Sequence, residues 1–127
     1  MARLYRLMVP VPDLEAGVAF YARLIGDEGE RVSSDRHYFP CGPAVLAVVT
    51  PTAEGRTFQP NPEWTYLAFD DVDAALDLVR TAEGARVASE VEVQPWGERS
   101  AYAYDPFDNG LCLVQQGTEF TGGRFVP

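Results

Sequence analysis

The chain contains no lysine, a single histidine (His37) and only two cysteines. Each shortage removes a kind of chemistry. One histidine cannot supply a site of two imidazoles and a carboxylate within one protomer. Without lysine there is no ammonium to lower the pKa of a neighbouring thiol. Cys41 and Cys112 cannot form a disulfide framework, and two reduced cytosolic thiols are the simplest reading. No apolar run approaches the ~18 residues of a membrane span. The stretch from Met1 to Val11 carries Arg3 and Arg6 but neither the apolar core nor the cleavage site of an export signal, so a cytoplasmic location is expected. Positive charge is scarce as well, with 10 Lys+Arg against 19 Asp+Glu and a formal net charge of −9. Such a protein is repelled by phosphate backbones and anionic lipid heads, which argues against nucleic acid and membrane partners. A cationic or neutral ligand suits it better.

What is present is enough for one domain. At 127 residues with 46% hydrophobic and 12% aromatic content, the chain is neither disordered nor long enough for two ordinary domains. Its organisation is an internal repeat. The run Pro12 to Tyr21 and the run Asp70 to Val79 read as one object, an aspartate N-cap (Asp13, Asp71) followed by an acidic first turn and apolar residues at helical spacing. Glycines at 26 and 84, the expected C-caps, keep the same 58-residue offset as the aspartates. Leu14, Val18, Tyr21 and Ile25 form one apolar stripe; Val72, Leu76 and Val79 form the other.

Each helix is preceded by an apolar run with strand character, Leu4 to Val11 and Trp64 to Phe69, and followed by three short strands. These are 30–33, 36–39 and 44–49 in the first half, and 89–93, 100–104 and 111–115 in the second. Turn residues separate them, among them Cys41-Gly42-Pro43, Gln94 to Gly97 and Asp105 to Gly110. The chain is therefore expected to be an α+β single domain of two βαβββ modules, 3–50 and 64–116, joined by a Pro- and Gly-rich linker over 51–63. The tail beyond Gln116, ending at Pro127, reads as irregular.

This order of motifs resembles the vicinal oxygen chelate superfamily of glyoxalases, extradiol dioxygenases, and fosfomycin- and bleomycin-resistance proteins. Val11 to Ala16 with Phe20-Tyr21 and Leu24-Ile25-Gly26 is similar to the family's first-helix signature. Tyr66 to Ala75 is similar to its entry into the second module. Trp96 to Arg99 and Asp105 to Leu113 are similar to its last hairpin. The resemblance implies two curled mixed sheets around a shared cleft, and usually a homodimer.

In the metal-dependent members each module gives one ligand from its first strand and one from its last. Carried over, these positions fall on Arg6 and Ala47 in the first module, and on Trp64 (or Tyr66) and Cys112 in the second. Arginine, alanine, an aromatic ring and one thiol are not a donor set for a divalent ion, and a guanidinium opposes one. The expectation is no metal, no other cofactor and no catalytic residue. The chain then stands nearest in character to metal-free bleomycin-resistance-like members, which sequester a drug or metabolite and so confer antibiotic resistance. The alternative is a glyoxalase- or dioxygenase-like lyase or isomerase with an atypical site, and a third reading is an interaction module with a filled cavity.

The candidate ligand-binding residues are Arg6, Tyr38, Trp64, Tyr66, Trp96, Tyr102, Tyr104 and Cys112. Alternation along a strand puts Leu4, Arg6 and Met8 on one face and Trp64, Tyr66 and Ala68 on its counterpart, with Tyr102 and Tyr104 sharing a face and Tyr38 placed to join them. The opposite parity (Leu7, Val9, Leu67, Phe69) is expected to pack on the helices. Flat rings with polar tips suit a small-molecule pocket. Arg6 cannot lose its proton, so if desolvated it must be paired, either by Glu63, Glu90 or Glu92 or by a ligand's carboxylate, phosphate or carbonyl. His37 reads as a surface or strand-pairing residue, Glu90 and Glu92 as a solvated strand face, and Asp105 to Gly110 as a plain hairpin turn.

Overall fold

Helix α1 (Leu14–Ile25) begins where Asp13 accepts the backbone N–H of Ala16 and stops at Gly26, whose φ of 79° is open to glycine at little cost. Helix α2 (Val72–Thr81) is capped the same way by Asp71, which accepts from Ala74 N. Its end differs from expectation. The C-cap is Ala82 in extended conformation, and Gly84 instead takes a positive φ in the turn that follows.

In the computed structural model, which describes residues 1–123, the strands are β1 (Arg6–Pro10), β2 (Glu30–Ser33), β3 (Arg36–Cys41), β4 (Ala44–Val49), β5 (Thr65–Phe69), β6 (Arg86–Val87), β7 (Glu92–Val93), β8 (Arg99–Tyr104) and β9 (Gly110–Gln115). The first sheet has the order β1-β4-β3-β2, with β1 parallel to β4. The second runs β5-β9-β8-β6, with β5 parallel to β9 and β7 also paired to β8. The fold is thus α+β, two βαβββ modules in mixed sheets. In the second module the expected strand 89–93 is replaced by two short pieces. Ala88 and Ser89 both direct their N–H groups at Tyr102 O, which interrupts the ladder between them. The linker holds a 3-10 turn at Pro51–Glu54. Among the described residues no helix is long and apolar enough to cross a membrane. The tail is irregular through residue 123, and the expectation for its last residues lies outside the described ones.

One apolar core serves both modules. Val9, Phe39, Leu46 and Val48 from the first sheet and Ala101, Ala103, Leu111 and Leu113 from the second close over the two helices. Leu67 and Phe69 pack against this core as expected, but Leu7 is 38% exposed, because β1 is an edge strand and Leu7 lies outside the cover of α1. The hairpin Asp105 to Gly110 does more than reverse the chain. Asp105 and Asn109 are buried, and Asn109 donates to Pro10 O at 2.7 Å and accepts from Asn61 N at 2.8 Å. The turn therefore ties the second module to β1 and the linker, which its Asn-Gly pattern alone does not announce.

Candidate functional site

The strand registers decide which side chains share a surface. On the first sheet Arg6 lies opposite Val45, and Met8, Ala47 and Tyr38 form the next row. The Arg6 guanidinium carbon sits 5.1 Å from the Tyr5 ring centre and 4.9 Å from that of Tyr38, within cation–π range. Among the described residues the ion pairs belong to Arg31, Arg36, Arg56, Arg80, Arg86 and Arg99; Arg6 is in none of them. Of its three conceivable carboxylate partners, Glu90 is taken by Arg80. Tyr38 thus stands beside Arg6, not beside Tyr102 and Tyr104.

On the second sheet Tyr66, Cys112 and Tyr102 form one row across β5, β9 and β8. Next to it Trp64 packs on both tyrosines, with ring centres 4.8 Å from Tyr102 and 5.2 Å from Tyr104. Gly110 makes this possible. A Cβ there would lie 2.7 Å from a Trp64 ring carbon. Arg86 covers Tyr104 at 4.0 Å while pairing with Asp108 at 2.6 Å.

Cys112 is fully buried, and burial pushes its thiol up to about 11, with the Glu98 charge adding to the rise. A nucleophile needs the opposite shift. The Tyr66 hydroxyl and burial likewise raise Tyr102. Beside Cys112 the hydroxyl of Ser100 is buried with no hydrogen-bond partner among the described residues. His37 is buried, correcting the surface reading. Its Nε2 lies 2.8 Å from Glu28 O and its Nδ1 accepts from Arg31 Nε, so it is held by structure.

Trp96 is held by a neighbour in its own turn. Its indole N–H donates to Glu98 Oε1 at 2.8 Å, and the backbone N–H of Phe120 donates to Oε2 at 2.9 Å. With Tyr66, Ala68 and Val114 these residues line a cavity of about 440 Å³ over the edge of the second sheet. Glu98 is 7% exposed, whereas Trp96, Tyr66 and Phe120 are 45%, 55% and 52% exposed. The sequence reading missed both Glu98 and Phe120. Their only local signal was the Trp-Gly-Glu turn, which says nothing of burial.

The candidates therefore divide. Arg6 and Tyr38 belong to the first sheet; Trp64, Tyr66, Tyr102, Tyr104 and Cys112 share a face of the second, with Trp96 at its margin. Among the described residues, the cavities that Tyr66 and Trp96 line include neither Arg6 nor Tyr38. The positions that the family resemblance assigns to metal ligands carry Arg6, Ala47, Trp64 (or Tyr66) and Cys112, and the described residues contain no group of three or more His, Cys, Asp or Glu side chains able to hold a metal ion. This donor set does not fit a divalent cation.

Paired βαβββ modules with an aromatic face define a protein of the glyoxalase type of fold. The profile of the Glyoxalase/Bleomycin resistance protein/Dioxygenase superfamily matches residues 3–113, and the chain belongs to that superfamily. None of the curated proteins matches it. Among solved structures, a superfamily member from Sphaerobacter thermophilus is 23% identical with a TM-score of 0.68, covering 91% of this chain and 98% of its own. A glyoxalase-related enzyme from Fulvimarina pelagi is 16% identical with a TM-score of 0.73, covering 91% and 89%. A structure described as lactoylglutathione lyase from Agrobacterium tumefaciens is 23% identical with a TM-score of 0.64, covering 91% and 95%. These likenesses bear on the fold, and the fold hosts many chemistries.

Proposed function

We propose that this chain binds a small organic molecule in an aromatic-lined site without a divalent metal and without transforming it, as a sequestering protein of the bleomycin-resistance kind. The observation that carries this reading is the side-chain chemistry at the chelate positions, where Arg6 brings a permanent positive charge and Ala47 no donor at all. A lyase, isomerase or dioxygenase would need an electrophilic centre there, and the thiol among those residues, Cys112, is buried and held protonated at neutral pH.

The same reading includes a homodimer in the cytoplasm. Among the described residues the edge strands β1 and β5 each have one free side, exposed apolar residues Leu4, Tyr5 and Leu7 lie at and beside β1, and both cysteines are free. Neither nucleic acid nor a membrane is a partner in this reading, given the net charge of −9.

Two measurements test it. Thermal shift against metals, aromatic metabolites and cationic glycopeptide antibiotics should show stabilisation by an organic compound and none by metals, since a native-state binder raises the melting point by mass action. Elemental analysis finding about one equivalent of Ni, Zn, Fe or Mn, removable with loss of stability, overturns the metal-free part. Light scattering should give twice 14.0 kDa, and a single-chain mass across the micromolar range would refute the dimer.

A further inference from the structure

Glu98 sets a problem in elementary electrostatics. A carboxylate taken out of water is normally matched by a cation, because its desolvation is otherwise uncompensated. Glu98 is 7% exposed, yet it takes part in none of the ion pairs among the described residues. Among the described residues its carboxylate accepts hydrogen bonds from neutral donors, the Trp96 indole N–H and the Phe120 backbone N–H. Each carboxylate oxygen accepts more than one hydrogen bond, so both donors leave acceptor capacity free.

The carboxylate also lines a cavity. Around the same space of about 440 Å³ stand the half-exposed rings of Tyr66, Trp96 and Phe120, together with a second carboxylate, Glu119; among the described residues no arginine or histidine lines it. Aromatic rings present negative faces and attract cations within about 6 Å, Trp most strongly. Rings and carboxylates in one cavity thus favour the same charge. The Trp96–Glu98 bond adds rigidity, since it fixes the indole by the group that would receive the ion.

From this we infer that the cavity over β5 and β9 is an ammonium-recognition site, in which Glu98 meets the charge of an organic amine or quaternary ammonium and Tyr66, Trp96 and Phe120 cover its apolar part. The inference rests on the small-molecule-binding reading and gives that ligand a chemical class. It also accounts for the sign of the protein's overall charge, which draws cations toward the surface.

The test uses the full chain and ligands matched in size: benzylamine (protonated at pH 7) and benzyltrimethylammonium, the neutral benzyl alcohol, and the anionic benzoate. Binding is followed by tryptophan fluorescence and by melting temperature, with Trp96→Phe assigning the signal to this cavity rather than to Trp64. The two cations should bind at least about tenfold more tightly than benzyl alcohol, benzoate should be the weakest, and added salt should weaken the cations alone. Glu98→Gln should abolish the preference for the cation while leaving weak binding of the alcohol. The amide of that variant cannot accept both existing hydrogen bonds through one oxygen each, so Tyr66→Ala is a second variant, expected to weaken the cations at an unchanged fold.

Equal or tighter binding of the alcohol or benzoate overturns the ammonium site but leaves the binding-protein reading standing. No binding of any compound in this set or in the wider panel overturns both.

Discussion

Tyr21 on α1 donates its phenolic hydrogen to Asp105 Oδ2 at 2.6 Å, joining the first helix to the last hairpin across 84 residues of sequence. The same oxygen accepts from Asn109 Nδ2 at 2.8 Å, while Oδ1 takes the backbone N–H groups of Phe107 and Asn109. Burial raises the pKa of both Tyr21 and Asp105. The cluster joins the two modules, together with the Asn109 bond to Pro10 O, and directional hydrogen bonds of this kind specify their relative position.

Removing one member should therefore be costly. Tyr21→Phe is expected to lower stability by about 1–3 kcal/mol, the loss of one buried hydrogen bond. Asp105→Ala, which strands four donors at once, should cost about 3–5 kcal/mol. Urea denaturation of the two variants and their double mutant should show less than additive losses, because both act on one network.

Gly110→Ala tests the seat of Trp64. The added methyl would sit 2.7 Å from the indole, and neither the ring nor the β9 backbone can yield without disturbing Tyr102 and Tyr104. The expected cost is about 1–3 kcal/mol, as for overpacked cores. Near-ultraviolet circular dichroism should change, since the indole must leave its position between the two tyrosines. An unchanged spectrum would show that Trp64 is not seated there.

Cys112 gives the protein an alkaline limit. Its folded pKa of about 11 lies above the unfolded thiol value of ~8.5, so the unfolded chain loses its proton first. Stability is then fully present below about pH 8.5 and falls as pH rises toward 11, by up to about 2–3 kcal/mol. The raised Tyr102 acts in the same direction at higher pH. Guanidinium unfolding between pH 8 and 10.5 should show this decline, and Cys112→Ala should flatten its first part. Iodoacetamide should leave Cys112 of the native protein unmodified at pH 7.5.

For Arg6 the absence of a carboxylate partner among the described residues has a direct consequence. Had Glu63, Glu90 or Glu92 paired it, Arg6→Ala would strand a carboxylate and cost several kcal/mol. With Tyr5 and Tyr38 as its neighbours, the loss should stay below about 1 kcal/mol, the worth of partly exposed cation–π contacts. A melting temperature close to the wild type's is the expected result.

Much of the architecture was legible in the chain itself. Both N-caps, the alternation along the strands and the repeat of helix after strand are local signals, written within a few residues of where they act. At the positions that the family resemblance assigns to metal ligands, only the side-chain identities, among them Arg6 and Ala47, are written in the sequence. The face shared by Tyr66, Tyr102 and Cys112 follows from strand parity once β5, β8 and β9 are known to be neighbours. What the chain could not disclose was burial of polar groups by distant segments. Asp105 and Asn109 read as a turn until α1 and the linker cover them, and Glu98 reads as a surface acid until Trp96 and Phe120 close over it. Tyr38 parted from the other tyrosines because sheet membership depends on long-range pairing rather than on parity. Local hydrogen bonds and hydrophobic period are encoded by neighbours in sequence; the desolvation of carboxylates such as Asp105 and Glu98 is decided only when segments distant in sequence come together.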